Sequence, residues 1–119
     1  MFCNQETGKL GEMLATKWLR TEGYSIITTN WRWHPYEIDI IAERQGKLHL
    51  IEVKTRKGDK YGLPEEAVSK KKIKSLMKAA ARYSELHPEY KRIQIDILAI
   101  NLQNIQDPVF FLIEDIYFF

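Results

Sequence analysis

Two short β-rich runs, Ile38–Glu43 and Leu48–Lys54, face each other across Gln45-Gly46, where the glycine supplies the positive φ of a tight turn. Centring the turn there sets Asp39 opposite Glu52 and Glu37 opposite Lys54. Side chains alternate along a strand, so strict alternation puts these four on one face, with Ile41, Leu48 and Leu50 nearer the turn. The other face carries Ile38, Ile40, Ala42, Ile51 and Val53. Both faces are apolar except where the charges gather, the pattern of a buried strand pair that ends in a polar pocket.

Helical spacing of Leu10, Leu14, Ala15, Trp18 and Leu19 predicts a first helix over about Thr7–Thr21, stopped by Gly23. Glu12 falls at the edge of that stripe, and its position alone assigns it to water. Tyr24–Thr29 predicts a strand leading into Asn30-Trp31-Arg32-Trp33. Ser69 is an N-cap candidate for a helix ending near Leu86, with Ile73, Leu76, Met77, Ala80 and Ala81 inward. Ile93–Ile100 and Val109–Ile113 are the last two strands. A strand, a helix and a strand in that order predict a right-handed crossover with Leu48–Lys54 parallel to Ile93–Ile100. The expectation is an α/β fold of one domain over residues 1–119, a mixed central β-sheet flanked by helices in an αβββαβ core.

Composition adds bounds. The sequence has 119 residues, 45% of them hydrophobic, enough for one core. Cys3 has no partner for a disulfide within the chain, which fits a reducing cytoplasm. Charges at Glu6, Lys9 and Glu12 interrupt the start, so no signal-peptide stretch is expected, and Val109–Ile113 is too short to span a bilayer. Net charge is only +2, yet residues 54–82 alone carry a surplus of +7 and the rest a balance of −5. That concentration would attract a polyanion, although most lysine runs are simply solvated helix faces.

The chemistry candidates follow from the hairpin. Glu37, Asp39 and Glu52 facing Lys54 have a plain meaning as cross-strand ion pairs. In an apolar sheet such a cluster is costly unless something compensates it, and Lys54 neutralises one carboxylate only. A hard divalent ion, Mg²⁺ or Mn²⁺, would neutralise two through oxygens of Asp39 and Glu52. Arg56 and Lys57 open a basic, glycine-containing loop, and Lys71, Lys72 and Lys74 begin the second helix, positions suited to phosphate. Trp31 and Trp33 suit stacking on nucleobases, with at least one expected in the core. His34, His49 and His87 have neither paired spacing nor cysteine neighbours, so no zinc site is expected.

Gly11-Glu12, Gly23-Tyr24, Asn30-Trp31-Arg32, Glu37-Ile38-Asp39, Glu52-Val53-Lys54-Thr55-Arg56, Gly62-x-Pro64 and Ala67-Val68 occur in that order. Together they resemble the YraN family of small bacterial proteins, over roughly residues 8–100. That family belongs to the PD-(D/E)xK superfamily, the restriction-endonuclease-like nucleases that include archaeal Holliday-junction resolvases. The resemblance implies a metal-dependent nuclease site in which Asp39, Glu52 and the Val53 backbone carbonyl hold the ion. Lys54 stands by the attacking water, Glu12 supplies the first helix's acid against its assignment to water, and Lys72 meets phosphate. Ile38 replaces the proline of the superfamily's name, and Tyr36 stands where the family often has glycine. The expected function is a DNA endonuclease with a preference for branched or junction DNA in repair or recombination, a homodimer being left open. The alternative is a non-cleaving nucleic-acid-binding or scaffold protein that keeps the fold; an acidic protein as partner of the basic face is a lesser option.

Overall fold

The computed structural model describes residues 4–57 and 69–116. Gly62-x-Pro64, Ala67-Val68, Cys3 and most of the expected basic loop lie outside the described residues. The elements are α1 (Asn4–Thr21), β1 (Ser25–Trp33), β2 (Tyr36–Arg44), β3 (Lys47–Arg56), α2 (Lys70–Leu86), β4 (Ile93–Asn101) and β5 (Val109–Ile113). Thr55 and Arg56 therefore extend β3 rather than begin a loop, and Asn30–Trp33 belongs to β1.

Five strands form one sheet in the order β1-β2-β3-β4-β5. Only the β3–β4 pair, joined through α2, is parallel; its neighbours are antiparallel. Gln45 and Gly46 both have positive φ, 53° and 77°, which suits the right-handed twist of the hairpin they close. The β2–β3 register is the one expected, running from Ile40–Ile51 to Arg44–Lys47.

A helix lies against each face of the sheet. Ala15 and Leu19 of α1 pack with Tyr24, Ile40, Ala42, Ile51 and Leu98. Ala79 and Tyr83 of α2 pack with Ile38, Ile41, Leu48 and Leu50. Each large aliphatic side chain taken fully out of water contributes roughly 1.5–3 kcal/mol. Gly23, at φ 93°, ends α1: Tyr24 N–H bonds to Leu19 O at 2.9 Å and Gly23 N–H to Arg20 O at 3.1 Å. Ser69 caps α2, its Oγ accepting the Lys72 N–H at 3.1 Å.

The buried side of α2 is Ile73, Leu76, Ala79 and Tyr83, whereas Ala81, expected inward, is exposed. Tyr83 sets the orientation, because its ring meets the edge of Trp31 at 5.2 Å and draws that face onto the sheet. The α/β architecture, a mixed sheet flanked by two helices, is that of the restriction-endonuclease-like fold.

Candidate active site

The β2–β3 ladder stops at Ile40–Ile51, one residue short of Asp39. Beyond it the Asp39 carboxylate accepts the Val53 N–H at 2.8 Å. This changes the phase of β2. Ile40 packs with Ile51 on the α1 side, while Ile38 packs with Ile41 and Leu50 on the α2 side. Strict alternation, which would keep Ile38 and Ile40 together, fails at Asp39. A buried carboxylate needs donors, and here it takes one from the neighbouring strand's backbone.

The Glu52 side chain points into a different environment. The residue is 4% exposed, and Lys72 Nζ of α2 reaches its Oε2 at 3.1 Å. Glu52 is also close enough to the Asp39 carboxyl to raise its proton affinity. Two neighbouring carboxyl groups repel when both are charged. Burial first, then the hydrogen bond and charge of Glu52, push Asp39 up to about 8; the Val53 amide and Lys72 pull the other way without prevailing.

Asp39 lies in a cleft of about 850 Å³ between the start of α1 and the ends of β2 and β3. Glu12, Glu37, Lys54 and Val53 line the same cleft. So do four residues that bring charge or close the wall: Lys9, Arg32, Thr55 and Arg56. Glu12 is half-buried there, and Asn30 Nδ2 donates to its Oε1 at 2.6 Å, so its side chain is not given over to water. Asn30 takes positive φ, 53°, within β1. Glu37 pairs with Arg32 at 3.5 Å.

Gly11 lets α1 come this close. A Cβ at Gly11 would run into the Thr55 Oγ1 of β3, so glycine is required by the approach of helix to strand rather than by its φ. Glu12 is thereby held over the end of β3.

The other expected positions separate. Lys72 faces Glu52, and Lys71 and Lys74 are exposed on α2. Lys57 is exposed just past the end of β3. Lys9 and Arg32 are cleft residues that reasoning on spacing missed, as it missed Asn30, which holds the cleft residue Glu12. Arg32 and Asn30 belong to the Asn30-Trp31-Arg32 string, which was the only available signal.

A second polar group occupies the far end of the α1 face and includes His49, one of the three histidines for which no zinc site was expected. His49 Nδ1 and Asp96 Oδ2 are 2.8 Å apart, and Glu114 offers a carboxylate oxygen such that all three ligand atoms lie within 4.8 Å. This His/Asp/Glu cluster could bind a metal. Asp96 already accepts from Gln94 Nε2 and the Asp115 N–H, both at 2.8 Å, and Arg44 lies 3.9 Å from Glu114. The cluster thus also ties β3, β4 and the segment after β5 together. Its members are far apart in sequence, so only the sheet brings them together.

A model of the family described as "Uncharacterised protein family UPF0102" matches residues 11–100. The chain belongs to this family. Among the UPF0102 proteins it is similar to are those of Syntrophomonas wolfei (37% identical, 85% of this chain and 89% of the relative) and Christiangramia forsetii (37%, 91% and 97%). That of Dehalococcoides mccartyi is 41% identical over 82% of each chain. Among solved structures, Pyrococcus furiosus SfsA in complex with Ca²⁺ aligns with 87% of this chain and 61% of its own, at 17% identity and TM-score 0.43. UPF0102, the YraN family, lies in the restriction-endonuclease-like superfamily. The matched span contains Glu12, Asp39, Glu52, Lys54 and Lys72 and leaves out β5.

Proposed function

We propose that this UPF0102 chain is a metal-dependent DNA endonuclease acting at the Asp39–Glu52 end of the β2–β3 hairpin. The observation that carries the reading is the pair itself: two neighbouring carboxyl groups, with Asp39 on the wall of a cleft rimmed by Lys9, Arg32, Lys54 and Arg56. Neighbouring carboxylates that would otherwise repel make a donor set that fits a hard divalent cation such as Mg²⁺ or Mn²⁺. The Val53 backbone carbonyl is the third ligand we assign. Bound there, the ion would supply charge neutralisation for a phosphodiester and a more acidic water.

The chain's own groups divide the remaining work. Asp39 and Glu52 would hold the ion, while Lys72 keeps Glu52 oriented from α2. Lys54, lining the cleft, stabilises the negative charge that develops on the phosphate during attack. Glu12, fixed by Asn30, faces the same space and can order a water or a second ion. Arg56, Lys57, Lys71 and Lys74 carry the flanking backbone. Repair or recombination is the setting this activity would serve, with branched DNA as substrate.

The Lys72–Glu52 pair favours one competing reading, a binding or scaffold protein whose carboxylates are satisfied without metal. Cleavage separates the two. Branched, flapped and single-stranded DNA are offered to wild type and Lys54→Ala with Mg²⁺ or Mn²⁺. The endonuclease cuts at least one of them, and Lys54→Ala is slower by about 100-fold or more at similar DNA affinity. DNA binding with no cleavage by wild type in either metal supports the scaffold.

A further inference from the structure

Two tryptophans two residues apart on β1 have different fates. Trp31 packs into the α2 core against Tyr83. Trp33, on the last rung of the β1–β2 hairpin, remains 41% exposed. Its rung partner is Tyr36, and the rings lie 5.5 Å apart at 34°. Two cations flank the pair. The Arg82 guanidinium, which also pairs with Glu85 at 3.2 Å, is 5.5 Å from the Trp33 ring, and Lys78 Nζ is 6.0 Å from that of Tyr36. The next rung holds Arg32, which pairs with Glu37 and lines the cleft instead. Lys78 has no carboxylate partner among the described residues.

An aromatic pair with one exposed and one half-buried ring suits an apolar protein surface as well, but the flanking cations argue for a polyanion that also carries flat apolar faces. Nucleic acid is that chemistry, and its bases offer their faces only when unpaired. Tyr36 is three residues from Asp39 along β2, about 10 Å at strand rise, but its ring packs on the α2 side whereas the Asp39 cleft is lined by α1. A base resting here therefore belongs to a strand that passes the edge of the sheet within a few nucleotides of the phosphate under attack.

We propose that Trp33 and Tyr36 form a stacking platform for an unpaired nucleobase, so that the substrate is DNA with a single-stranded segment beside the bond to be cut. Lys78 and Arg82 hold the phosphates on either side of that base. This specificity rests on the endonuclease reading, but the platform is tested without metal or cleavage.

The experiment measures anisotropy of a labelled oligo-dT and of a blunt duplex of equal length, in EDTA, for wild type, Trp33→Ala and Trp33→Phe. Matching thermal midpoints show that the exposed substitutions leave the fold intact. Trp33→Ala is expected to weaken oligo-dT binding about 10-fold or more, with Trp33→Phe retaining most of the affinity. Duplex binding stays within about 2-fold, because a blunt duplex offers no free base face there. Unchanged oligo-dT affinity in Trp33→Ala overturns the platform, as do an equal loss on duplex or a wild type that does not bind oligo-dT. Trp33-dependent binding alongside a wild type that cuts nothing would instead sink the endonuclease reading and leave the platform standing.

Discussion

Glu52 and burial raise the proton affinity of Asp39, and the Val53 amide and Lys72 lower it, leaving the group titrating near 8 against an ordinary 3.8. Between those values the folded chain holds a proton that the unfolded chain has released. Stability of the metal-free protein should therefore be greatest below about pH 4 as far as this group is concerned, and should fall as pH rises toward 8. Urea midpoints in EDTA at pH 5 and pH 8 check this: the midpoint is lower at pH 8, and Asp39→Asn, neutral at both, loses most of that difference. An equal pH dependence in Asp39→Asn would show that other groups carry it. The hairpin pattern exposed Asp39 and Glu52 because turn and alternation are local facts. The cation that Glu52 meets was not legible, since Lys72 arrives from a helix whose packing depends on Tyr83.

At the scale of elements, α1 touches β3 through Gly11 and Thr55. Gly11→Ala must push the helix outward or strain it, costing about 1–3 kcal/mol. Thr55→Ala removes the hydroxyl that the new Cβ meets, so the double mutant should be more stable than the two single effects added. Strictly additive unfolding energies would mean the contact does not position α1. On α2, Lys71 and Lys74 are exposed while Lys72 is committed to Glu52. Replacing Lys71 and Lys74 by Ala should lower the salt slope of DNA binding by up to about two units. An unaltered slope would make them an ordinary solvated face. Helix and strand ends were read to within a few residues, and Val109–Ile113 matches the observed β5. What failed was phase: Ile38 and Ala81 turned out opposite to their periodicity, one at a buried carboxylate and one beside a large aromatic.

Over the whole molecule, strand–helix–strand order was enough to give a parallel β3–β4 pair, and short connections gave the antiparallel neighbours. The pairing of β5 with β4, and with it the His49–Asp96–Glu114 cluster, had no local signal because the residues meet only after the sheet assembles. The fold leaves a cleft at the Asp39 end of the hairpin, beside the buried Glu52, and brings Lys9, Arg32, Lys54 and Arg56 to its rim. If that end is a catalytic centre, it needs the negative charge of Asp39 and not merely its shape. Asp39→Asn tests this, since it keeps the size of the side chain and resembles its protonated form. The decisive measurement is the rate at which wild type and Asp39→Asn cut branched DNA in Mg²⁺, with DNA affinity measured in parallel. The account predicts cutting by wild type, a loss of about 100-fold or more in the variant, and affinity that is nearly unchanged. Equal cutting by both proteins, or no cutting by wild type, would contradict it.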